Sequence, residues 1–344
     1  MKKLLRKIIP KFFDYQVPGK INNNQSVTAV IYSIDRIGDA IACSIAINAI
    51  KNHYSNAKII VVCSNYSYSI FQSDSDLTCY TLKNSNALFS ITKTALKIKK
   101  KHGKIDLLFS PTAGNKIPPN IFMGILRAKC NIVVEKKRFM MHQPELGVIN
   151  DGSLFYRYKK ELEKHGLPAK DRPTVITKSD AVAKKDMFIN RFGLSKYIAV
   201  NLDAFDKKRC FPAGIVKEIK NRLDLMDIDF VIVCPADKKE EYKRVYGNTN
   251  RIFIYEDINT IHDSIAILKD ASLVISPDTA LVHIASAFNI PTVAVYRDEH
   301  NAKYWPPMSD RKESIIMPCD LNTCNEIELA DRISKIIMND IVVM

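Results

Sequence analysis

Glycine is scarce in this 344-residue sequence, which contains only 11 glycines and none after Gly247. The G-x-G-x-x-G fingerprint of dinucleotide-binding folds and the phosphate loop of Walker-type NTPases both need closely spaced glycines. Neither pattern occurs, which argues against a nicotinamide-dependent enzyme and against a P-loop NTPase. The eight cysteines form no C-x-x-C pair, so they indicate neither a zinc site nor a disulfide framework.

Long apolar runs are also missing, since no stretch reaches the roughly 18 residues that a membrane span needs. Residues 1–26 are instead basic, and apolar pairs recur in them every four residues up to Phe12 and Phe13. We expect an amphipathic segment that lies on an anionic membrane surface. Pro10 opposes a helix there, and a frayed basic tail is the alternative.

The charge is one-sided, because 51 Lys and Arg against 37 Asp and Glu give a net charge of +14. This excess favours an anionic partner: nucleic acid, an acidic membrane or a phosphorylated substrate. The alternative is a soluble protein from a lysine-rich proteome. The basic residues are scattered and match no helix-turn-helix, RNP or finger pattern, so we expect no nucleic-acid partner.

From residue 27 onward, continuous apolar runs alternate with helical segments, which is typical of a parallel sheet covered on both faces. Residues 136–172 interrupt the alternation, and we place the region between two domains there. The sequence predicts an α/β protein with two doubly wound Rossmann-like domains, 27–172 and 173–344, that face a central cleft. An alternative position for the last helix is back on the first domain. Strands are predicted at 27–34, 59–63, 78–82, 105–110, 131–134, 197–201, 230–234, 251–255, 273–276 and 292–296.

Ligand sites of open α/β sheets lie in the loops that follow the strands. After the first strand the chain reads Arg36-Ile37-Gly38-Asp39 and continues as a helix. Gly38 permits a tight turn, and Asp39 arrives at or beside the helix N-cap. Its carboxylate can cap the helix or face the cleft as a general base, and this loop alone leaves both roles open.

A second candidate loop follows the strand that ends at Ser276. Pro277 and Asp278 are predicted to form a turn and cap the next helix, whose first amides lie near Thr279–Leu281. These amides and the positive helix end form an anion site suited to a diphosphate. His283 lies one turn further on the same face, where it adds a donor or serves as a structural histidine.

A third candidate loop carries the cationic run Lys207-Lys208-Arg209 at the mouth of a helix. The planar fork of an arginine suits bidentate contacts with phosphate. A solvated run of surface charge is the alternative.

These three loops resemble glycosyltransferase family 9, the lipopolysaccharide heptosyltransferase family with the GT-B fold. The resemblance extends from residue 27 to the end of the chain. The residues that carry it are Arg36–Asp39, the Lys-Arg-x-aromatic-Pro run Lys208–Pro212, and Ser276–Phe288 followed by Ile290-Pro291-Thr292.

The resemblance implies an inverting, metal-independent transfer of heptose from ADP-heptose to the core oligosaccharide of lipopolysaccharide, with no cofactor beyond the donor. The first domain is expected to bind the acceptor and the second the nucleotide sugar. Asp39 is implied as the base that deprotonates the acceptor hydroxyl, with Arg36 and Gly38 supporting its loop. The residues implied to hold the donor diphosphate are Lys208, Arg209, Asp278, Thr279, Ala280 and His283.

Departures from the family pattern leave the sugar open. Ala280 stands where the family usually has glycine, and Arg209 and Phe211 stand where it usually has lysine and tryptophan. Alternatives are transfer of a hexose or N-acetylhexosamine from a UDP-sugar to lipopolysaccharide or another surface glycan, and, more remotely, an epimerase or a non-catalytic binding protein. Because the implied acceptor lies on an anionic inner membrane, we expect a cytoplasmic enzyme held peripherally at that membrane.

Overall fold

The protein was analysed as a computed structural model, which divides into two compact units, Met1–Pro173 and Thr174–Met344. This division falls one residue after the predicted domain boundary. Of the predicted N-terminal segment, residues 1–10, 19–20 and 22–25 lie outside the described residues. The structure describes residues 11–18, 21, 26–82, 87–113, 116–135, 137–224, 226–247 and 249–341.

The first unit is built on a parallel sheet with strands β1 (Thr28–Ser33), β2 (Lys58–Ser64), β3 (Leu77–Leu82), β4 (Leu107–Phe109) and β5 (Cys130–Ile132). Their order is β3-β2-β1-β4-β5. Strands β2 and β3 lie on one side of β1, and β4 and β5 lie on the other, as expected of a doubly wound sheet. The helices with described bounds are α1 (Ile37–His53), α2 (Asn65–Phe71), α3 (Leu88–His102), α4 (Ile117–Leu126) and α5 (Leu154–Lys164). Two 3₁₀ turns, Met140–His142 and Pro144–Leu146, precede α5.

Helices α3 and α4 pack together on one face of this sheet. Ile91 and Ile98 of α3 and Phe122 of α4 join the strand residues Val30 and Ile60 in one buried cluster. Burying these large apolar side chains stabilises the layer, at roughly 1.5–3 kcal/mol for each side chain fully removed from water. The position of α3 is therefore fixed by its apolar stripe, which leaves its opposite side facing solvent.

The interpretation of residues 136–172 as an interdomain region is wrong, because α5 lies within them and packs against α1 of the first unit. Leu154, Tyr158 and Leu162 are buried at helical spacing. The sequence analysis missed this helix because it searched for continuous apolar runs, and here basic and acidic residues lie between the buried apolar ones.

Residues 13–17, within the predicted N-terminal segment, pack on the rest of the first unit. The carboxylate of Asp14 accepts hydrogen bonds from the backbone N–H groups of Met140 and Met141, at 3.1 and 2.9 Å. Phe13 lies so close to Gly124 of α4 that a Cβ atom added there would be 2.4 Å from the Cβ of Phe13. The frayed-tail alternative therefore does not describe residues 13–17.

The second unit is a parallel sheet with the strand order β11-β10-β9-β6-β7-β8. Its strands are β6 (Tyr197–Asn201), β7 (Asp229–Pro235), β8 (Ile252–Ile258), β9 (Leu273–Pro277), β10 (Thr292–Tyr296) and β11 (Lys312–Ile316). Its helices are α6 (Ser179–Phe192), α7 (Ile215–Arg222), α8 (Lys239–Tyr246), α9 (Ile261–Lys269), α10 (Ala280–Ala287), α11 (Glu299–Tyr304) and α12 (Glu326–Ile336). Shorter turns lie at Lys207–Arg209, Ala236–Lys238, Leu321–Thr323 and Ile337–Ile341.

The α/β prediction is confirmed, and all ten predicted strands are present. Strand β11 was missed because Lys312, Glu313 and Ser314 are exposed at the sheet edge and interrupt the apolar pattern. The last helix, α12, packs against α7 of its own unit, and Leu329 and Ile333 enter the core there.

Candidate active site

Asp39 lies in the first turn of α1, directly after β1, at the carboxyl edge of the first sheet. The helix begins at Ile37 and Arg36 is its N-cap residue. The backbone N–H of Arg36 donates to Oδ2 of Asp39 at 3.1 Å. The predicted position of the turn is therefore wrong: Gly38 is the second helical residue, and Asp39 is the third. Asp39 caps the helix with one oxygen while its side chain remains only half-buried.

The pKa of Asp39 is raised to about 6, mainly by burial and then by the neighbouring negative charge of Asp35. The N–H of Arg36 and the positive charge of Lys116 oppose this shift. At neutral pH the carboxylate is therefore mostly ionised, yet it is a stronger base than an ordinary aspartate. A pKa near the working pH is what general-base catalysis favours.

Asp35, which the sequence analysis did not single out, connects the ends of three strands. Its Oδ2 accepts a hydrogen bond from the Thr112 hydroxyl at 3.2 Å and lies 3.7 Å from the Lys116 ammonium. Its backbone carbonyl accepts from the Ser64 hydroxyl at 3.2 Å. The position of Asp35 in a strand-end loop was the available signal, since polar residues there are candidates for a site.

In the second unit, Arg209 and Asp278 form a paired contact at the carboxyl edge of the sheet. Nη1 of Arg209 donates to the backbone carbonyl of Asp278 at 2.8 Å and to its carboxylate at 2.9 Å. Both side chains are largely buried, with exposed fractions of 20% and 15%. The loop is anchored by Phe211, whose N–H donates to the carbonyl of Leu202 at 2.8 Å and whose ring is buried in the core.

Thr279, and not Asp278 as predicted, is the N-cap residue of α10. Its hydroxyl accepts a hydrogen bond from the N–H of Leu281 at 3.3 Å. Val282 N–H donates to the Thr279 carbonyl at 3.2 Å. Among the described residues no acceptor faces the N–H of Ala280. The first turn of α10 therefore presents an amide with the positive helix end behind it, the arrangement that binds anions.

Asn201, at the last position of β6, holds the Thr279 cap in place and was missed by the sequence analysis. Its amide nitrogen donates to the Ser276 hydroxyl at 3.0 Å and to the Thr279 hydroxyl at 3.1 Å. It also lies 3.0 Å from the carbonyl of Asp203. Asn201 is buried, and the signal that could have revealed it is a polar residue ending an apolar strand.

His283 is buried in α10, only 4% exposed, with its ring centre 5.1 Å from that of Trp305. Burial lowers its pKa to about 4, so the imidazole is neutral at pH 7. It can donate one hydrogen bond as a neutral group, but it does not add a positive charge to the anion site.

Lys208 lies apart from the Arg209–Asp278 pair. It is 60% exposed, and its ammonium lies 3.3 Å from Oδ2 of Asp320. The other carboxylate oxygen of Asp320 pairs with Arg297, which directly follows β10 and was not predicted as a site residue. The loops that follow β6 and β10 thus place Lys208, Arg209 and Arg297 at the carboxyl edge of the second sheet. Arg209, Asp278, Thr279 and Ala280 are brought together, whereas Asp39, Arg36 and Gly38 belong to the first unit.

The model of glycosyltransferase family 9 (heptosyltransferase) matches residues 129–335 of this chain. The lipooligosaccharide heptosyltransferase 2 of Campylobacter jejuni is 25% identical over 309 residues, which cover 84% of this chain and 89% of that protein. A Haemophilus influenzae protein assigned to the glycosyltransferases is 28% identical over 160 residues. That match spans 43% of this chain and 46% of the relative, less than half of its length.

Solved structures with the same fold include a family 9 glycosyltransferase from Veillonella parvula, with a TM-score of 0.71 at 12% identity, covering 95% of this chain and 100% of that one. The ADP-heptose lipopolysaccharide heptosyltransferase II of Escherichia coli has a TM-score of 0.62 at 14% identity, with coverage of 91% and 99%. A Listeria monocytogenes protein assigned as a UDP-N-acetylglucosamine 2-epimerase has a TM-score of 0.55 at 12% identity, with coverage of 92% and 89%. At these identities the likeness concerns the fold, and the predicted GT-B class is confirmed by it.

Proposed function

The chain belongs to glycosyltransferase family 9, and on this basis we propose that it is an inverting glycosyltransferase that moves heptose from ADP-heptose to the core oligosaccharide of lipopolysaccharide. The observation that carries the proposal is the convergence of Arg209, Asp278 and the first turn of α10 on one strand-end site. A cation beside a helix N-terminus suits a diphosphate. The heptosyltransferase named among the relatives supports heptose as the sugar.

In the proposed reaction, the oxygen of an acceptor hydroxyl forms a bond to the anomeric carbon of the sugar. The bond between that carbon and the diphosphate oxygen breaks, and its electron pair leaves with ADP. Asp39 of the first unit takes the proton of the hydroxyl. Its raised pKa, about 6, suits this role because the base must be ionised before transfer and able to hold a proton afterwards.

The second unit is proposed to stabilise the negative charge that develops on the leaving diphosphate. Arg209 supplies a fixed positive charge, and Thr279 positions the Ala280 amide at the helix N-terminus. Lys208 supplies a second, more exposed cation. These groups take the electrostatic role that a metal ion has in other sugar transfers, so we propose a reaction without a metal or other cofactor. His283, neutral at pH 7, would contribute a hydrogen bond only.

The experiment follows release of ADP from ADP-heptose, with truncated lipopolysaccharide as the acceptor, in the presence of EDTA. The proposal predicts release that needs the acceptor, persists in EDTA and is lost in Asp39→Ala, while Asp39→Ala still binds the donor. If the wild type is inactive on ADP-heptose but transfers from a UDP-sugar, the heptose assignment is wrong. Donor turnover without acceptor would favour an epimerase, and no binding of any nucleotide sugar would contradict the diphosphate site.

The same proposal includes a location for the enzyme at the cytoplasmic face of the inner membrane. None of the described helices is long and apolar enough to cross a membrane. The net charge of +14 favours contact with anionic lipid. A test is sedimentation with anionic vesicles of the wild type and of a chain lacking residues 1–10. The deletion stops there because residues 13–17 pack on the first unit.

A further inference from the structure

The solvent side of α3 combines exposed apolar side chains with exposed lysines. Phe89 is 80% exposed and Leu96 is 54% exposed. Between and after them, Lys93, Lys97 and Lys100 are also exposed. At 3.6 residues per turn these five residues lie on one face of the helix. This face is opposite the buried stripe that includes Ile91 and Ile98.

This face, which we call the α3 outer face (Phe89, Lys93, Leu96, Lys97 and Lys100), has a strongly positive potential. Helix α3 contains five lysines and no Asp or Glu. None of the three lysines on the outer face forms an ion pair with a carboxylate of the described residues. Uncompensated lysines on one face favour an extended anionic partner.

Helix stability explains only part of this composition. Lys99, Lys100 and Lys101 lie in the last turn of α3, where cations interact favourably with the helix dipole. Lys93 and Phe89 lie in the first half of the helix, where the dipole gives no such benefit. The exposed phenylalanine and leucine contribute nothing to the core of this unit, and they lie on the same face of the helix as the three lysines.

We propose that the α3 outer face is a docking surface for an anionic phospholipid bilayer. Phe89 and Leu96 enter the headgroup region, and Lys93, Lys97 and Lys100 contact lipid phosphates beside them. A site for single-stranded nucleic acid combines cations with several stacking rings along a groove, whereas this face is one side of a helix with a single ring, Phe89, and the aliphatic Leu96. The inference rests on the proposed peripheral location at an anionic membrane, and it holds whichever sugar the enzyme transfers.

The neighbouring N-terminal segment supports the same orientation. Phe13 lies against Gly124 of α4, and α4 packs beside α3. Phe12, next to this contact, is 81% exposed. The residues before it include Lys2, Lys3, Arg6 and Lys7. The exposed Lys11 and Phe12 thus directly precede the contact with α4, in the same helical layer as the α3 outer face.

The test is co-sedimentation of the full chain with phosphatidylglycerol vesicles at low salt, with phosphatidylcholine vesicles as the neutral surface. Two variants alter the α3 outer face, Lys93→Glu/Lys97→Glu/Lys100→Glu and Phe89→Ser/Leu96→Ser. The matched control, Lys196→Glu/Lys269→Glu/Lys312→Glu, changes three exposed lysines of the second unit and alters the net charge equally. These side chains are exposed, so circular dichroism and melting temperature are expected to stay at the wild-type values.

We expect the α3 charge reversal to weaken partitioning by more than about a hundredfold, since each lysine near an anionic surface contributes roughly fivefold and the anionic surface also repels the three added glutamates. The apolar variant is expected to lose about tenfold, and the control to change little. In a Phe89→Trp variant, anionic vesicles should shift the added tryptophan emission to the blue and brominated lipid should quench it. Trp305, the only native tryptophan, provides the background in the wild type.

The proposal is wrong if the α3 charge reversal partitions like the control variant, since residues 1–26 would then account for binding. It is also wrong if Phe89→Trp emission does not respond to vesicles that have bound the protein. Tight binding of a DNA oligonucleotide, lost in the charge reversal while Phe89→Ser/Leu96→Ser keeps full vesicle binding, would identify a nucleic-acid surface instead. Activity on a detergent-dispersed acceptor should persist in the α3 variants, which separates this result from failure of the proposed reaction.

Discussion

Arg209 and Asp278 are 69 positions apart and meet where two adjacent strands end. A single guanidinium nitrogen of Arg209 donates to both the backbone carbonyl and the carboxylate of Asp278, at 2.8 and 2.9 Å. Strands β6 and β9 are neighbours in the second sheet, so the loops that follow them share one edge. This contact fixes a positive charge beside the N-terminus of α10, and the proposed donor site depends on it.

The first prediction concerns that contact. Arg209→Ala should raise the KM for the nucleotide sugar about tenfold to a hundredfold, since hydrogen bonds to charged groups contribute about 1.5–3 kcal/mol. Arg222 is the matched control, because it pairs with Glu218 on the surface of α7. Steady-state kinetics of Arg222→Ala should match the wild type. Equal KM values in the two variants would show that Arg209 does not contact the donor.

The second prediction concerns the pH dependence of the reaction. Since Asp39 must be ionised and its pKa is about 6, kcat/KM for the acceptor should fall tenfold per pH unit below pH 6. Asp35→Asn keeps an oxygen for Thr112 but removes the charge that helps to raise the pKa of Asp39. The acidic limb of the pH profile of kcat/KM should therefore move to lower pH in this variant. If that limb stays in place in Asp35→Asn, the charge of Asp35 does not raise the pKa of Asp39.

The third prediction concerns stability. The pKa of folded Asp39, about 6, lies above its ordinary value, so the folded protein holds this proton more tightly than the unfolded chain does. Protonation of Asp39 therefore stabilises the folded protein. This contribution is complete below pH 4 and is lost as the pH rises through 6. Asp39→Asn should therefore raise the free energy of unfolding at pH 7.5 by about 3 kcal/mol, but have little effect at pH 4.

Urea unfolding at the two pH values measures this difference, and Asp171→Asn serves as the control. Lys159 lowers the pKa of Asp171, so removing that charge should not stabilise the protein at pH 7.5. Stabilisation of both variants to the same degree would mean that the effect reflects net charge and not the environment of Asp39.

The fourth prediction concerns Asn201. Asn201→Ala removes the donor that holds Ser276 and Thr279, and should cost about 1–3 kcal/mol of stability. The donor KM should rise as well, because the cap of α10 loses its support. Asn201→Asp should be worse at pH 7 than at pH 4, since a carboxylate would face the oxygens that the amide contacts. Wild-type kinetics in both variants would remove Asn201 from the site.

The fifth prediction concerns the docking of the N-terminal segment. The added Cβ in Gly124→Ala would overlap Phe13, so that segment must move away from α4. Hydrogen exchange at Met140 and Met141, whose N–H groups donate to Asp14, should become faster, while exchange in the second unit stays unchanged. Unaltered protection at both methionines would show that Phe13 does not depend on Gly124.

The sequence predicted the two α/β halves because buried parallel strands are continuous apolar runs, as in β2 and β9. The same criterion missed β11, whose exposed edge residues break the run, and α5, whose buried stripe is interleaved with charges. The fold class therefore follows from local pattern, whereas an edge strand and an amphipathic helix within a polar region depend on packing that the pattern does not contain.

The sequence predicted individual candidate residues of the site, but it did not predict the contacts between them. Asp39, Arg209 and Thr279 were identified because each follows a strand. The direct pairing of Arg209 with Asp278, and the support of Thr279 by Asn201, depend on the adjacency of β6 and β9. These two strands are far apart in the sequence, so their adjacency cannot be predicted from local sequence patterns. The neutral state of His283 likewise follows from burial, which the sequence does not reveal.

The most direct test of the account is mass spectrometry of truncated lipopolysaccharide after incubation with ADP-heptose and the enzyme. The account predicts that the wild type adds one heptosyl residue and that Asp39→Asn adds none, although calorimetry finds equal binding of ADP to both. A heptosylated product from Asp39→Asn at the wild-type rate would contradict the role of Asp39. No product from the wild type, with ADP-heptose bound, would contradict the proposed transfer.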